Sequence, residues 1–189
     1  MKRVILIRHG ATAGNLERRY IGRTDEPLCE EGIRQITALQ EKQLCARRVF
    51  VSPMLRTRQT AELLFPQQEH ILVPDLRETD FGNFEGKTAA ELSDDPAYQN
   101  WVDGWCRGPI PGGESKAEVS ARCCAAFCDA MKQVEEGECA AFVIHGGVIM
   151  ALTERFAADV GDFYAYHIGN GGYLLCEWEK ERLCVLEKG

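Results

Sequence analysis

The chain has 189 residues, a formal net charge of −7 and 45% hydrophobic residues, enough for one packed domain. Its acidic balance argues against nucleic acid or an anionic membrane as the main partner, and no apolar run approaches the ~18 residues of a membrane helix. The start MKRVILIRHG carries only four consecutive apolar residues, short of the ~7–15 of a secretory leader, so the cytoplasm is the expected compartment, with the nine cysteines as reduced thiols.

The first predicted element is a strand over 4–7, a continuous apolar run of the kind buried on both faces of a sheet. It ends abruptly in Arg8, His9 and Gly10. Arg18, Arg19 and Arg23 join Arg8 around the following loop. A local cationic patch on an acidic chain suits a small anionic substrate, although Arg18, Arg19 and Arg58 taken singly read as solvated surface. A helix is predicted over about 30–44, with Ile33, Ile36 and Leu39 on one face, followed by a strand over 49–51. Ser52-Pro53 reads as an N-cap with proline at the first helical position, opening a helix that carries Arg56, Gln59, Thr60, Leu63 and Leu64. His70 falls in a surface loop before a strand over 71–73.

The stretch 87–114 is polar, carries Trp101 and Trp105 at i, i+4 spacing, and ends in the turn-rich GPIPGGES. It reads as an excursion from the sheet that covers a pocket. Ser115 and Glu118 have capping-box spacing and open a helix whose apolar positions include Val119, Cys123, Phe127 and Met131. Cys123 is therefore a small core residue rather than a metal ligand. Strands follow over 140–144 and 173–176, the first ending in His145-Gly146; His167 carries no assigned role. Alternating strands and helices predict an α/β three-layer sandwich, one domain over 1–189 with a mostly parallel sheet and helices on both faces.

Ligands of open α/β sheets bind beyond the carboxyl ends of the strands. His9 and His145 both stand at such ends, each followed by a glycine that lets the backbone approach a ligand. If the two strands are neighbours, both imidazoles face one crevice.

LIRHGATAGN resembles the Arg-His-Gly signature of the histidine phosphatase superfamily, also called phosphoglycerate-mutase-like. GRTDEPLCEEGIRQ, SPMLRTRQTA, LRETDFGNFEG, PGGES and IHGGV resemble its later blocks, in order, from residue 3 to about 172. The resemblance implies a catalytic set of His9, Arg8, Arg56, His145 and Glu78. His9 would be the nucleophile that takes the phosphoryl group, Arg8 and Arg56 would clamp its oxygens, and His145 would donate to the same oxygens. Glu78 would be the acid and base; the residues alone do not rank it above Asp80 and Glu85. Asn15, Gly22, Arg23 and Gly146 would complete phosphate and substrate binding. No metal or other cofactor is implied, and the partner would be a small phosphorylated metabolite, with the oligomeric state open. Two departures stand out. Cys29 occupies a position usually held by Ser or Thr, a lost helix cap that costs about 1 kcal/mol, and Phe84 replaces a frequent Trp.

The chain is compact between Glu78 and His145, which favours a metal-independent phosphomonoesterase over a mutase. YIGRTDEPL, LRETDFGNFEG and IPGGES are most similar to the α-ribazole phosphatases of cobalamin nucleotide-loop assembly, and Trp101 and Trp105 could stack on such a substrate's aromatic base. The alternatives are a broad-specificity phosphatase, a phosphoglycerate mutase, and a non-catalytic phosphate-binding protein. The last would be expected to lack one of the catalytic groups.

Overall fold

The run at 4–7 is apolar throughout because its strand lies inside a six-stranded sheet. The computed structural model describes residues 1–159 and 165–189. In chain order the elements are β1 (Lys2–Arg8), α1 (Ala13–Leu16), α2 (Glu30–Gln40), β2 (Arg48–Val51), α3 (Leu55–Leu64), β3 (His70–Leu72), α4 (Pro96–Asp103), α5 (Lys116–Lys132), β4 (Cys139–Ile144), α6 (Gly146–Phe156), β5 (Tyr173–Glu179) and β6 (Arg182–Lys188). The strand order is β3-β2-β4-β1-β5-β6. The first four strands are parallel, and β5 and β6 add an antiparallel edge beside β1.

Alternate side chains of each central strand feed different cores. Val4 and Leu6 of β1 join Phe50, Phe142 and the α5 residue Phe127 on one face. Ile5 and Ile7 join Val49, Val143, Leu39 of α2 and Ala61 of α3 on the other. With helices packed on both faces, the molecule is a three-layer α/β sandwich. Among the described residues no helix is long and apolar enough to cross a membrane.

Several boundaries differ from the sequence expectation. α2 stops at Gln40 because Gln43 takes φ +50, outside the right-handed helix, and Leu44 instead packs against the core as part of the loop. Ile33 lies off the buried face and is 46% exposed, whereas Ile36 and Leu39 are buried. His70 is not in a loop; it pairs with Val49 as the first residue of β3, its Nε2 bonded to the Phe65 carbonyl at 3.0 Å. α4 ends before Trp105, and both Trp105 and Cys106 have φ +57, so the two tryptophans do not share a helical face. The cap of α5 is as expected, with Ser115 and Glu118 bonding reciprocally. Cys123 is buried, and its burial pushes the thiol pKa up to about 12.

Candidate active site

β1 and β4 are parallel neighbours in a register that pairs Arg8 with Ile144. The residues immediately after them, His9 and His145, therefore emerge side by side, ring centroids 5.1 Å apart and edge to face. Both are buried. His9 Nδ1 lies 2.7 Å from the Gly10 carbonyl oxygen. A carbonyl only accepts, so Nδ1 carries the proton and Nε2 keeps its lone pair. Burial and the Arg56 charge, with a further contribution from Arg8, hold His9 well below the ordinary histidine pKa, against the opposing pull of the Gly10 hydrogen bond. The ring is thus a neutral base in a cationic setting.

Arg56 enters from the first turn of α3 and is completely buried. Its guanidinium donates to the carbonyls of Thr24 at 2.8 Å and Gly22 at 2.9 Å. Gly22 thereby acts through its backbone, while its own N–H donates to Glu85. Arg8 donates to the Ile168 carbonyl at 2.7 Å. Arg8 Nε, Arg56 Nε and His145 Nδ1 are buried and make no hydrogen bond among the described residues. Unpaired buried polar atoms are costly, and with the Arg8 and Arg56 charges both acting on the His9 ring the setting favours an anion.

The local sequence at the start of α3 carries a surprise. Its N-cap is Met54, with no side-chain cap, and the Leu55 N–H donates instead to Asp25 Oδ1 at 2.6 Å. Ser52, expected to cap this helix, turns the other way and bonds His145 Nε2 at 2.7 Å.

The three candidate acids separate by their partners. Asp80 accepts from the Gly82 N–H and pairs with Arg23 at 3.5 Å. Glu85 holds the loop at 22–24 by accepting from Gly22 and Thr24. Glu78 lines a cavity of about 200 Å³ together with Arg8, His9, Asn15 and Gly146. Its carboxylate accepts from the Thr79 N–H at 2.9 Å and from the Gly147 N–H, at the start of α6, at 3.1 Å. A side chain at this helix end would press on the candidate catalytic groups: a Cβ on Gly147 would lie 2.4 Å from Glu78 Oε1, and one on Gly146 would lie 3.2 Å from Arg8 Cζ.

Asn15 lines the cavity and accepts through Oδ1 from the Thr12 N–H and from Asn170 Nδ2. Arg23 is not brought in with these groups. Its side chain is 60% exposed beside Asp80, outside the lining of this cavity. Arg56 and His145 do not line it either, but are fully buried, with His145 against the His9 ring. His167 does line the cavity, and burial next to Arg8 lowers its pKa. The sequence reading missed Ser52, Asn170 and Arg122. Arg122 donates to the carbonyls of Asp75, Arg77 and Glu78 and pairs with Glu114 at 2.7 Å, fixing the segment that carries Glu78.

A second cavity, about 240 Å³, adjoins the first and shares Tyr20, Phe81, Gly147 and Met150 with it. Trp101, Ile110 and Val119 make its remainder largely apolar. Trp101 packs against Tyr20, Phe84 and Tyr98. Trp105, 80% exposed, is not part of it.

Residues 4–188 match the family described as "Histidine phosphatase superfamily (branch 1)". A curated relative from Enterobacter sp. (strain 638), named "Probable phosphoglycerate mutase GpmB", is 37% identical over 161 residues, 81% of this chain and 74% of that protein. The alpha-ribazole phosphatase of Shigella flexneri superposes with a TM-score of 0.86 at 24% identity, over 97% of this chain and 94% of the other, a likeness of fold. A phosphoserine phosphatase of Entamoeba histolytica, solved with 3-phosphoglyceric acid, gives 0.84 at 26% identity over 100% and 96%.

Proposed function

The chain belongs to the histidine phosphatase superfamily, and on that premise we propose that it is a phosphomonoester hydrolase working through a phosphohistidine at His9. The observation that carries this reading is the hydrogen bond from His9 Nδ1 to the Gly10 carbonyl, which leaves a neutral Nε2 free to attack between two arginines.

In the first step His9 Nε2 forms a bond to phosphorus while the bond to the ester oxygen breaks. Glu78, as its carboxylic acid, gives that oxygen a proton, because an alkoxide leaves poorly. In the second step the Glu78 carboxylate takes a proton from water, the water oxygen bonds to phosphorus, and the N–P bond breaks. Inorganic phosphate leaves and His9 is restored. Arg8, Arg56, His145 and Asn15 supply donors to the equatorial oxygens, over which the transferring charge spreads.

The adjoining cavity would receive the leaving group. Its aromatic and aliphatic lining favours an alcohol that carries a planar apolar group, so α-ribazole 5′-phosphate, and with it a place in cobalamin assembly in the cytoplasm, is the first substrate proposed. Phosphoglycerate mutase is the second reading, motivated by the name of the Enterobacter relative. A phosphoglycerate carboxylate would want an available cation, whereas Lys116 of this cavity is paired with Glu154 at 2.6 Å and Glu114 faces the same space. The test is phosphate release in the presence of chelator, wild type against His9→Ala, on α-ribazole 5′-phosphate, 3-phosphoglycerate and an aryl phosphate. His9-dependent release with a preference for α-ribazole 5′-phosphate is expected. Equal rates on all three would refute the substrate, and no release from any would refute the hydrolase.

A further inference from the structure

We infer that Ser52 is a positioning residue for the phosphoryl-transfer site: its hydroxyl donates to His145 Nε2 and thereby fixes the His145 proton on Nδ1, the nitrogen left for a phosphoryl oxygen. The inference deepens the hydrolase reading and rests on it for the role of His145, though not for the state of the ring.

Ser52 follows β2, and its backbone is pinned on both sides. Its N–H donates to Val143 at 3.1 Å and its carbonyl accepts from Thr57 Oγ1 at 2.8 Å. Ser52 and His145 are both fully buried. Among the described residues, the one hydrogen bond of Ser52 Oγ is the 2.7 Å contact with His145 Nε2. A hydroxyl carries a single proton, and a buried one left undonated costs free energy. Donation to Nε2 satisfies it, and makes Nε2 the lone-pair nitrogen of the ring.

Burial and the Arg56, His9 and Arg8 charges hold His145 well below the ordinary histidine pKa, so the ring is neutral. A neutral imidazole has one N–H, and with Nε2 accepting it must be at Nδ1. That atom is buried and without a partner among the described residues. The opposite tautomer would turn a lone pair toward an anionic phosphoryl group, whereas this one turns a donor toward it. Ser52 therefore selects between two neutral forms of one ring, only one of which helps the reaction. Its release from capping duty is what makes this geometry available, since Asp25 serves the start of α3.

The test combines ring-nitrogen NMR of 15N-histidine-labelled protein with kinetics on an aryl phosphate. In the wild type His145 should show a protonated Nδ1 and a pyridine-type Nε2, and Ser52→Ala should mix or reverse the two. The same variant should lose roughly tenfold to a hundredfold in kcat with little change in KM, part of the ~10²–10³ that loss of a whole transition-state donor costs. Ser52→Thr, which keeps the hydroxyl, should recover the wild-type tautomer, and Ser52→Ala combined with His145→Ala should be no slower than His145→Ala alone. A wild-type His145 protonated on Nε2, or a Ser52→Ala spectrum with the tautomer unchanged, would overturn the inference. A wild type that shows Nδ1–H yet hydrolyses no phosphomonoester would overturn the hydrolase reading and leave the tautomer assignment standing.

Discussion

Glu78 Oε2 accepts the Gly147 N–H at 3.1 Å, so the carboxylate of the cavity is tied to the helix end that directly follows His145. A Cβ at position 147 would sit 2.4 Å from Glu78 Oε1, which makes Gly147→Ala a way to move the carboxylate without removing it. Glu78→Gln should slow hydrolysis of an alkyl phosphate by about 10²–10⁴, and Gly147→Ala by roughly tenfold or more, as small misplacements of a reacting group do. An aryl phosphate, whose leaving oxygen needs little help from an acid, should lose far less in both variants. Equal losses on the two substrates would refute Glu78 as the proton donor.

His9 and His145 are both held neutral by burial and by neighbouring arginines, with folded-state pKa values well below 6.5. Between those values and the unfolded pKa near 6.5, the unfolded chain binds protons that the folded chain does not. Stability should therefore be complete above about pH 6.5 and decline as the pH falls, by up to about 1.4 kcal/mol per pH unit for each histidine. Urea unfolding from pH 7.5 to 5 would measure this slope, and replacing either histidine by Asn should make it shallower. Stability that is flat or rises over this range would contradict the assignment.

Trp101 lines the apolar cavity and Trp105 does not. Trp101→Leu should weaken use of a phosphomonoester with an aromatic alcohol by roughly 3- to 10-fold, the size of one aromatic contact, with little effect on a small alkyl phosphate. Trp105→Leu should alter neither. Steady-state kcat/KM on both substrates decides the matter.

Cys29 is the N-cap of α2, has the extended backbone of a cap, and makes no side-chain hydrogen bond there. Cys29→Ser should supply the missing acceptor and stabilise the fold by about 1 kcal/mol, seen as a raised midpoint in chemical denaturation with kcat unchanged. An unchanged midpoint would mean that the helix end is satisfied in another way.

The central strands, each ending near a histidine, were legible because burial on both faces leaves a continuous apolar run that ends sharply at Arg8 and at His145. That β1 and β4 are neighbours was not, since an apolar run does not say which strand lies beside it. Nor was β6 legible, since an exposed edge strand such as RLCVLEK carries no such run. Local spacing misled where a distant residue took over a local task. Asp25, not Ser52, serves the start of α3, and nothing within the segment SPMLR signals that exchange. Spacing also failed at Trp105, where the backbone leaves the helix. Glu78, Asp80 and Glu85 are chemically alike, and only partners far along the chain, Gly147, Arg23 and Gly22 among them, tell them apart.

Phe84, Leu92, Tyr98 and Ile110 form a small core that, among the described residues, shares no member with the two cores flanking the sheet. The groups gathered around His9 hang largely from strand ends and the loops beside them, while the aromatic wall at Trp101 hangs from this separate cluster. The Trp101 wall thus comes from a different stretch of chain than His9, although the two cavities meet at Tyr20, Phe81, Gly147 and Met150. On the proposed reading, substitutions at Trp101 and Ile110 would alter the alcohol accepted while His9, Arg8 and Glu78 stay in place, so that one reactive scaffold serves many alcohols.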